Sequence, residues 1–259
     1  MARGGVESKI IMVKNALKEL CPCCEDRLEL TQIPDTYSCP ACRHIYRHYY
    51  LSASDYHSEG GDYRQKEYDE TAKTFNTFSL EGASARIEKV KTQISHISKF
   101  LSKNQTALEI ASGKGFMLHE AKEVFKKIVG NDIHPSVANH NKKYNPEVDF
   151  IVCDALELSE EDKYDVILAF DVLEHIEDAS RLVEKMWALT KEYVVIQVPV
   201  DRIMPPPNPN FDGHVHYFSK DSLRKLFTKK LLFQCEYIYK SKRGELANGP
   251  ELIAVFKKI

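Results

Sequence analysis

The chain has 259 residues, 43% hydrophobic and 29% charged, a globular composition that excludes disorder and gives room for one large domain with a small appendage. No apolar run approaches the roughly 20 residues that span a bilayer, and the lysine-dotted first 20 residues lack the core of an export signal, so a cytoplasmic protein with no membrane partner is expected. A formal net charge of −2 also argues against wholesale phosphate binding, which needs a basic excess.

Five of the seven cysteines lie between Cys21 and Cys42, and in a chain without an export signal such a cluster points to metal before disulfides. Two C-P-x-C knuckles, Cys21-Pro22-Cys23-Cys24 and Cys39-Pro40-Ala41-Cys42, stand fourteen residues apart. Cys21, Cys24, Cys39 and Cys42 are the expected ligands of one structural Zn²⁺ in a zinc ribbon, with Cys23 as a spare thiol. Cys153 and Cys235 fall within expected strands as small core residues. The aromatic-basic run RHIYRHYY closes this module at residue 50, and a polar connector fills 51–83, with a short helix expected over 64–74. The expected division is therefore 1–50, 51–83 and 84–259.

Regular patterning begins at 84. Ile87, Val90, Ile94, Ile97 and Leu101 recur at three- and four-residue steps, which predicts an amphipathic helix over 84–101. Strands are then expected at 107–111, 127–131, 148–153, 164–170 and 193–198. Helices alternate with them at 116–125, from Pro135, and at 181–190. Runs such as VILAF and YVVIQV are apolar on both faces, as strands covered on both sides must be. A proline-rich loop at 205–209 precedes a helix capped by Ser219. Two final strands, 232–239 and 252–256, are joined without a crossover helix and must pair antiparallel. The predicted fold class is α/β: a Rossmann-like open sheet, mostly parallel, with a C-terminal antiparallel hairpin.

In such sheets ligands sit beyond the carboxyl ends of the strands. Glu109-Ile110-Ala111-Ser112-Gly113-Lys114-Gly115 closes the first strand, and its glycines permit a tight bend close to a ligand. Asp132 ends the second strand, where an acid can accept from ribose hydroxyls, and Asp154 ends the third, where it can accept from an adenine amino group. A dinucleotide fingerprint would need a small residue where Leu118 stands.

The stretch 108–256 resembles the class I S-adenosylmethionine-dependent methyltransferases. ALEIASGKGFML is similar to their first motif, NDIHPS to the second and CDALEL to the third. YDVILAFDVLEHIED and HVHYFSKDSLRKLF are similar to segments of the group that includes ubiquinone-pathway O-methyltransferases. The resemblance implies that Glu109 and the backbone of Ala111, Ser112 and Gly113 hold the methionine moiety, with Gly115 in the same bend. It also implies Asp132 at the ribose, Ile133 and His134 flanking the adenine, Asp154 and Ala155 at its edge, and Phe170 and Asp171 beside the sulfonium. Ala111 replaces the family's usual glycine and is expected to keep a negative φ.

A hydroxyl acceptor needs a base or a metal to take its proton. His175 or His216 is the expected base, with Glu174 alongside. Asp171, Glu174 and His175, with a distant histidine, form an alternative site for Mg²⁺ or a similar divalent ion. The acceptor is expected to be a small molecule, a sugar or a natural-product or surface-saccharide precursor, with Tyr56, Tyr63 and Tyr68 lining a lid. The alternative is RNA held by the ribbon and the 43–50 run, as basic and aromatic residues together suit phosphate contact and stacking. A third reading is a scaffold that has lost catalysis, which the intact acids oppose.

Overall fold

The computed structural model describes residues 20–33, 36–47, 80–200, 214–229, 232–242 and 250–259. The expected helix at 64–74, the lid tyrosines and the proline-rich loop lie outside them. The first three strands are short: β1 (Glu29–Leu30), β2 (Thr36–Ser38) and β3 (Ile45–Arg47). Helix α1 (Leu80–Ile97) starts four residues before the patterned stretch. Then follow β4 (Thr106–Ile110), α2 (Phe116–Ala121), β5 (Lys127–Asp132), α3 (Pro135–Tyr144), β6 (Asp149–Val152) and β7 (Tyr164–Phe170). The chain closes with α4 (Ala179–Leu189), β8 (Thr190–Pro199), β9 (His216–Tyr217), α5 (Lys220–Thr228), β10 (Phe233–Lys240) and β11 (Glu251–Lys258).

Seven strands form one sheet in the order β10-β11-β8-β7-β4-β5-β6. β11 alone runs against the others, pairing antiparallel with both β8 and β10. The chain winds outward from β4 through β5 to β6, then crosses back to β7 on the other side of β4. A crevice opens at such a reversal, above the carboxyl end of β4. Because β11 is reversed, its first residue, Glu251, lies at this same edge, opposite Pro199 at the end of β8.

Side chains alternate across the sheet, and each face has its own core. Leu108, Ile110, Ile167, Val194 and Ile196 are buried in a cluster with α4 and α5. Ala107, Val166, Leu168 and Val195 face Val90 and Ile97 of α1 and Met117 and Leu118 of α2. Each such buried aliphatic side chain contributes about 1.5–3 kcal/mol from burial. Local signals fix the helix starts: Ser219 and Ser222 form a reciprocal capping box, and Asp178 caps α4 by accepting from the Arg181 N–H.

The cysteine module is continuous with this body. Its strands extend into a second sheet, β1-β2-β3-β9, in which β3 pairs with a strand of the larger domain. Cys21, Cys23, Leu28, Cys39, Cys42 and Tyr46 share a single buried cluster with the core of the large sheet.

Candidate active site

The bend after β4 places three residues in the left-handed region, alternating along the chain: Ala111 (φ +52°), Gly113 (+51°) and Gly115 (+71°). The expectation that Ala111 keeps a negative φ is therefore corrected. An alanine here carries roughly 1–2 kcal/mol of backbone strain, opposed by the bond from the Ser112 N–H to the Asn131 carbonyl (2.8 Å) that fixes the bend.

The two glycines differ in purpose. A Cβ on Gly113 would meet nothing within 4 Å, so the backbone there borders open space. A Cβ on Gly115 would lie 1.8 Å from Asn141 Oδ1 and 2.7 Å from Asn145 Nδ2. Asn145 donates to the Gly115 carbonyl (3.2 Å) and Asn141 to the Gly113 carbonyl (2.8 Å). Gly115 thus lets α3 dock; it does not line the ligand space.

A cavity of about 370 Å³ opens beside Gly113. Of the expected site residues it is lined by Glu109, Ala111, Ser112, Gly113, Phe170 and Asp171. Asp132, Ile133, His134, Asp154 and Ala155 lie along the neighbouring strand tips and do not line it. Asp132 spans the edge: its carboxylate accepts from the Gly113 N–H (3.1 Å) and the His134 N–H (3.0 Å). Asp154 caps the short turn after β6, accepting from the Leu156 N–H (2.9 Å). Ile133 is 38% exposed, an apolar surface at the same edge.

Glu109 points to the α1 side, as its alternation with Leu108 and Ile110 dictates. It is buried, and one carboxylate oxygen has no hydrogen-bond partner. Burial, helped by the nearby Asp132 charge, raises its pKa well above the usual carboxylate range. A buried acid with a spare acceptor, beside backbone that leaves open space, is suited to a cationic group of a bound ligand.

Sequence reasoning missed the wall opposite. Arg86, Lys89 and Gln93 of α1 line the cavity; their three- and four-residue spacing, parallel to the apolar stripe, was the available signal. Lys89 bonds Asp171 Oδ2 (3.2 Å) and Glu251 Oε1 (2.9 Å). Burial works against its charge, but the two carboxylates hold its pKa above the ordinary value. Gln197, the polar residue within the otherwise apolar run VVIQV of β8, donates to Asp171 Oδ1 (3.1 Å) and accepts from Gln93 (2.6 Å). Asp171, itself left-handed at φ +54°, is thus held on both oxygens.

The histidines separate. His175 sits in the turn Leu173–His175, 4.0 Å from Glu174 and ring-to-ring with His214 at 4.8 Å. Its side chain is 32% exposed, against 2% for Glu174. Burial, then the charges of Asp171 and Glu251, push the Glu174 pKa well upward, favouring its neutral form. His216 is buried, with Nδ1 facing His44 Nε2 (3.0 Å) and Nε2 facing the Ile176 carbonyl (3.0 Å). Neither His175 nor His216 lines the cavity; the expected role of His216 as base is corrected to a structural one, because both its ring nitrogens are engaged.

Cys21, Cys24, Cys39 and Cys42 bring their sulfurs within 4.8 Å of one another. The Cys21–Cys42 and Cys24–Cys39 separations are 3.6 and 3.4 Å, close to the ~3.8 Å edge of a tetrahedron with 2.3 Å metal–sulfur bonds. The knuckles repeat one geometry: the Glu25 N–H reaches the Cys21 carbonyl and the Arg43 N–H the Cys39 carbonyl, both at 2.8 Å. Glu25 (φ +63°) and Arg43 (+58°) are both left-handed. Cys23 is buried outside the set, its thiol pKa raised by that burial.

Residues 83–230, more than half the chain, match the family model described as a methyltransferase domain. The chain belongs to that methyltransferase family. No curated protein matches the sequence. Among solved structures, the N-methyltransferase NodS of Bradyrhizobium japonicum is 15% identical with a TM-score of 0.55, covering 68% of this chain and 97% of its own. Magnesium protoporphyrin IX methyltransferase (ChlM) from Synechocystis, with bound SAH, is also 15% identical at 0.55, covering 79% and 97%. A SAM-dependent methyltransferase from Methanosarcina mazei is 16% identical at 0.53, covering 63% and 96%. The family makes this chain a methyltransferase, and its fold is shared with solved methyltransferases, one of them holding SAH. The acids of this methyltransferase stand at three adjacent strand tips of one sheet edge. No helix among the described residues is long and apolar enough to cross a membrane.

Proposed function

We propose that this methyltransferase acts on a small-molecule acceptor, with His175 as the base. The observation that carries the choice of acceptor is the burial of residues 44–47; Arg43 is exposed and paired with Asp221, and 48–50 lie outside the described residues. His44, Tyr46 and Arg47 are each at most 2% exposed, packed against the segment around β9. A stacking and phosphate-binding platform has to face solvent, which favours a small molecule over RNA.

S-adenosylmethionine supplies a methyl group already activated on a sulfonium, for in-line displacement. Glu109 takes the ammonium of the methionine moiety, and the backbone from Ala111 to Gly113 cradles the rest. Asp132 serves the ribose, Ile133 and His134 flank the adenine, and Asp154 and Ala155 close its edge. Phe170 and the doubly held Asp171 border the reacting end. The unpartnered oxygen of Glu109 and the open space at Gly113 support this fit. His175 is exposed enough to take a proton from an acceptor, whereas Glu174 is enclosed behind it.

The four gathered thiolates hold a structural Zn²⁺ with no open position. Magnesium does not fit the expected set. Asp171 is occupied by Lys89 and Gln197, and the ligand atoms that do converge, from Glu174, His175 and His214, include two imidazoles. Mg²⁺ demands oxygen ligands, so no step is assigned to it.

Incubation with methyl-labelled cofactor and fractionated cell extract tests the reading. Label should enter the small-metabolite fraction; label in RNA would overturn the choice of acceptor. His175→Ala should lower methyl incorporation by about 100-fold, the scale of lost general-base catalysis, with cofactor affinity changed less than about threefold. Equal losses of both would remove His175 from the chemistry.

A further inference from the structure

One of the places where the ribbon meets the methyltransferase domain, among the described residues, leads to the turn carrying the proposed base. Val215 is bonded on both sides: the Arg47 N–H donates to its carbonyl (3.0 Å), and its own N–H donates to the Glu174 carbonyl (2.9 Å). A side-chain connection runs beside this one. His216 Nε2 faces the carbonyls of Ile176 (3.0 Å) and Glu177 (3.3 Å), so it carries the proton. Nδ1 is then the acceptor, and His44 Nε2 donates to it across 3.0 Å. Two connections, one backbone from β3 and one imidazole from His44 just before it, therefore cross through residues 215–216 to the turn at 174–177.

The ribbon end of these connections is itself anchored. The Ser219 hydroxyl donates to the Cys42 carbonyl (2.7 Å), and Lys229 donates to the Pro22 carbonyl (2.6 Å). Arg43 pairs with Asp221 across 3.2 Å. Both knuckles are thus tied to the start and end of α5, while β3 grips the segment just before that helix. His214 stands at the other end of the gripped segment, against the ring of His175.

We propose that the ribbon is a positioning element for the acceptor side of the active site: His44 and Arg47 hold Val215 and His216 against the Glu174 turn, and so fix His214 beside His175. His44 is the positioning side chain; Arg47 acts through its backbone N–H and through its guanidinium under Tyr217, whose hydroxyl it reaches at 3.3 Å. The bend after β4 makes none of these connections. Losing them is expected to loosen the 173–177 turn and leave the bend intact.

The inference rests on the proposed role of His175, but its test does not need the acceptor to be known. Full-length protein is compared as wild type, His44→Phe, Arg47→Met and zinc-stripped wild type. Three quantities are measured: zinc content, S-adenosylhomocysteine affinity by calorimetry, and hydrogen exchange by peptide. In His44→Phe with zinc retained, amides in 173–177 and 214–219 should exchange about tenfold faster. Exchange in 107–117 should stay unchanged and S-adenosylhomocysteine affinity should shift less than about twofold. Zinc-stripped protein should show the same local pattern, and Arg47→Met, which keeps the backbone bond to Val215 and loses the guanidinium contact with Tyr217, a smaller one. Methyl incorporation in cell extract should fall about tenfold in His44→Phe at unchanged cofactor affinity. Faster exchange confined to 21–47, or unchanged methyl incorporation, overturns the inference while leaving the methyltransferase reading standing. Failure of the wild type to bind S-adenosylhomocysteine overturns that reading instead.

Discussion

Glu109 is buried beside Asp132 with a free acceptor oxygen, and burial shifts it toward the protonated form by raising its pKa. An ammonium placed against it opposes that shift, because a nearby cation stabilises the carboxylate. Cofactor binding should therefore release a proton below the raised pKa of the free carboxyl, and affinity should rise with pH until the free protein's carboxyl is ionised as well. Calorimetry in buffers of different ionisation enthalpy measures this directly. Proton release between zero and one is expected, and none at all would mean that Glu109 does not meet the cation. The place of this residue was legible in advance, because an acid near the end of an apolar strand before a glycine bend falls at the carboxyl edge of the sheet. The left-handed φ of Ala111 was not legible. Alanine normally avoids that region, and only the bonded bend around it holds it there. His216 was misread for a related reason, since its partners, His44 and the Ile176 carbonyl, come from distant parts of the chain.

At the scale of elements, the strands were the clearest signal, since burial on both faces needs continuous apolar runs. β7 begins and ends where its pattern does. The reach of α1 over the carboxyl edge was hidden, because Arg86, Lys89 and Gln93 read as a solvated flank until the helix docks. Strand β9 has only two residues, too few for any periodicity, and its partner lies in the ribbon. The bend between β4 and α2 makes a test of element packing. Gly113→Ala adds a side chain to open space at φ +51°, costing only about 1–2 kcal/mol of backbone strain while intruding on the cofactor. Gly115→Ala adds the same strain and also collides with Asn141 and Asn145, so overpacking of about 1–3 kcal/mol comes on top. Denaturant unfolding should find Gly115→Ala the less stable of the two. S-adenosylhomocysteine titration should find Gly113→Ala the weaker binder relative to its stability. A reversal of both orders would place the ligand on the α3 side of the bend.

For the whole molecule, the decisive fact is the shared core. Cysteines of the ribbon pack in one buried cluster with β4, β7 and β8, and β3 extends its sheet into the large domain. Two modules joined this way should unfold together, so a metal held by the four cysteines should stabilise the entire chain. Zinc analysis should give about one equivalent per chain. A ligand that binds only the folded state adds RT ln(1 + [L]/Kd) to stability. If stripping the zinc removes roughly 2–3 kcal/mol, the midpoint of thermal unfolding should fall by about 5–10 °C for a chain of this size. Acid should act in the same direction, because the thiolates must take up protons to release the metal. Scanning calorimetry should show one transition that moves as a whole. A fixed main transition, with a separate small one that vanishes on chelation, would show that the shared cluster does not couple the ribbon to the sheet.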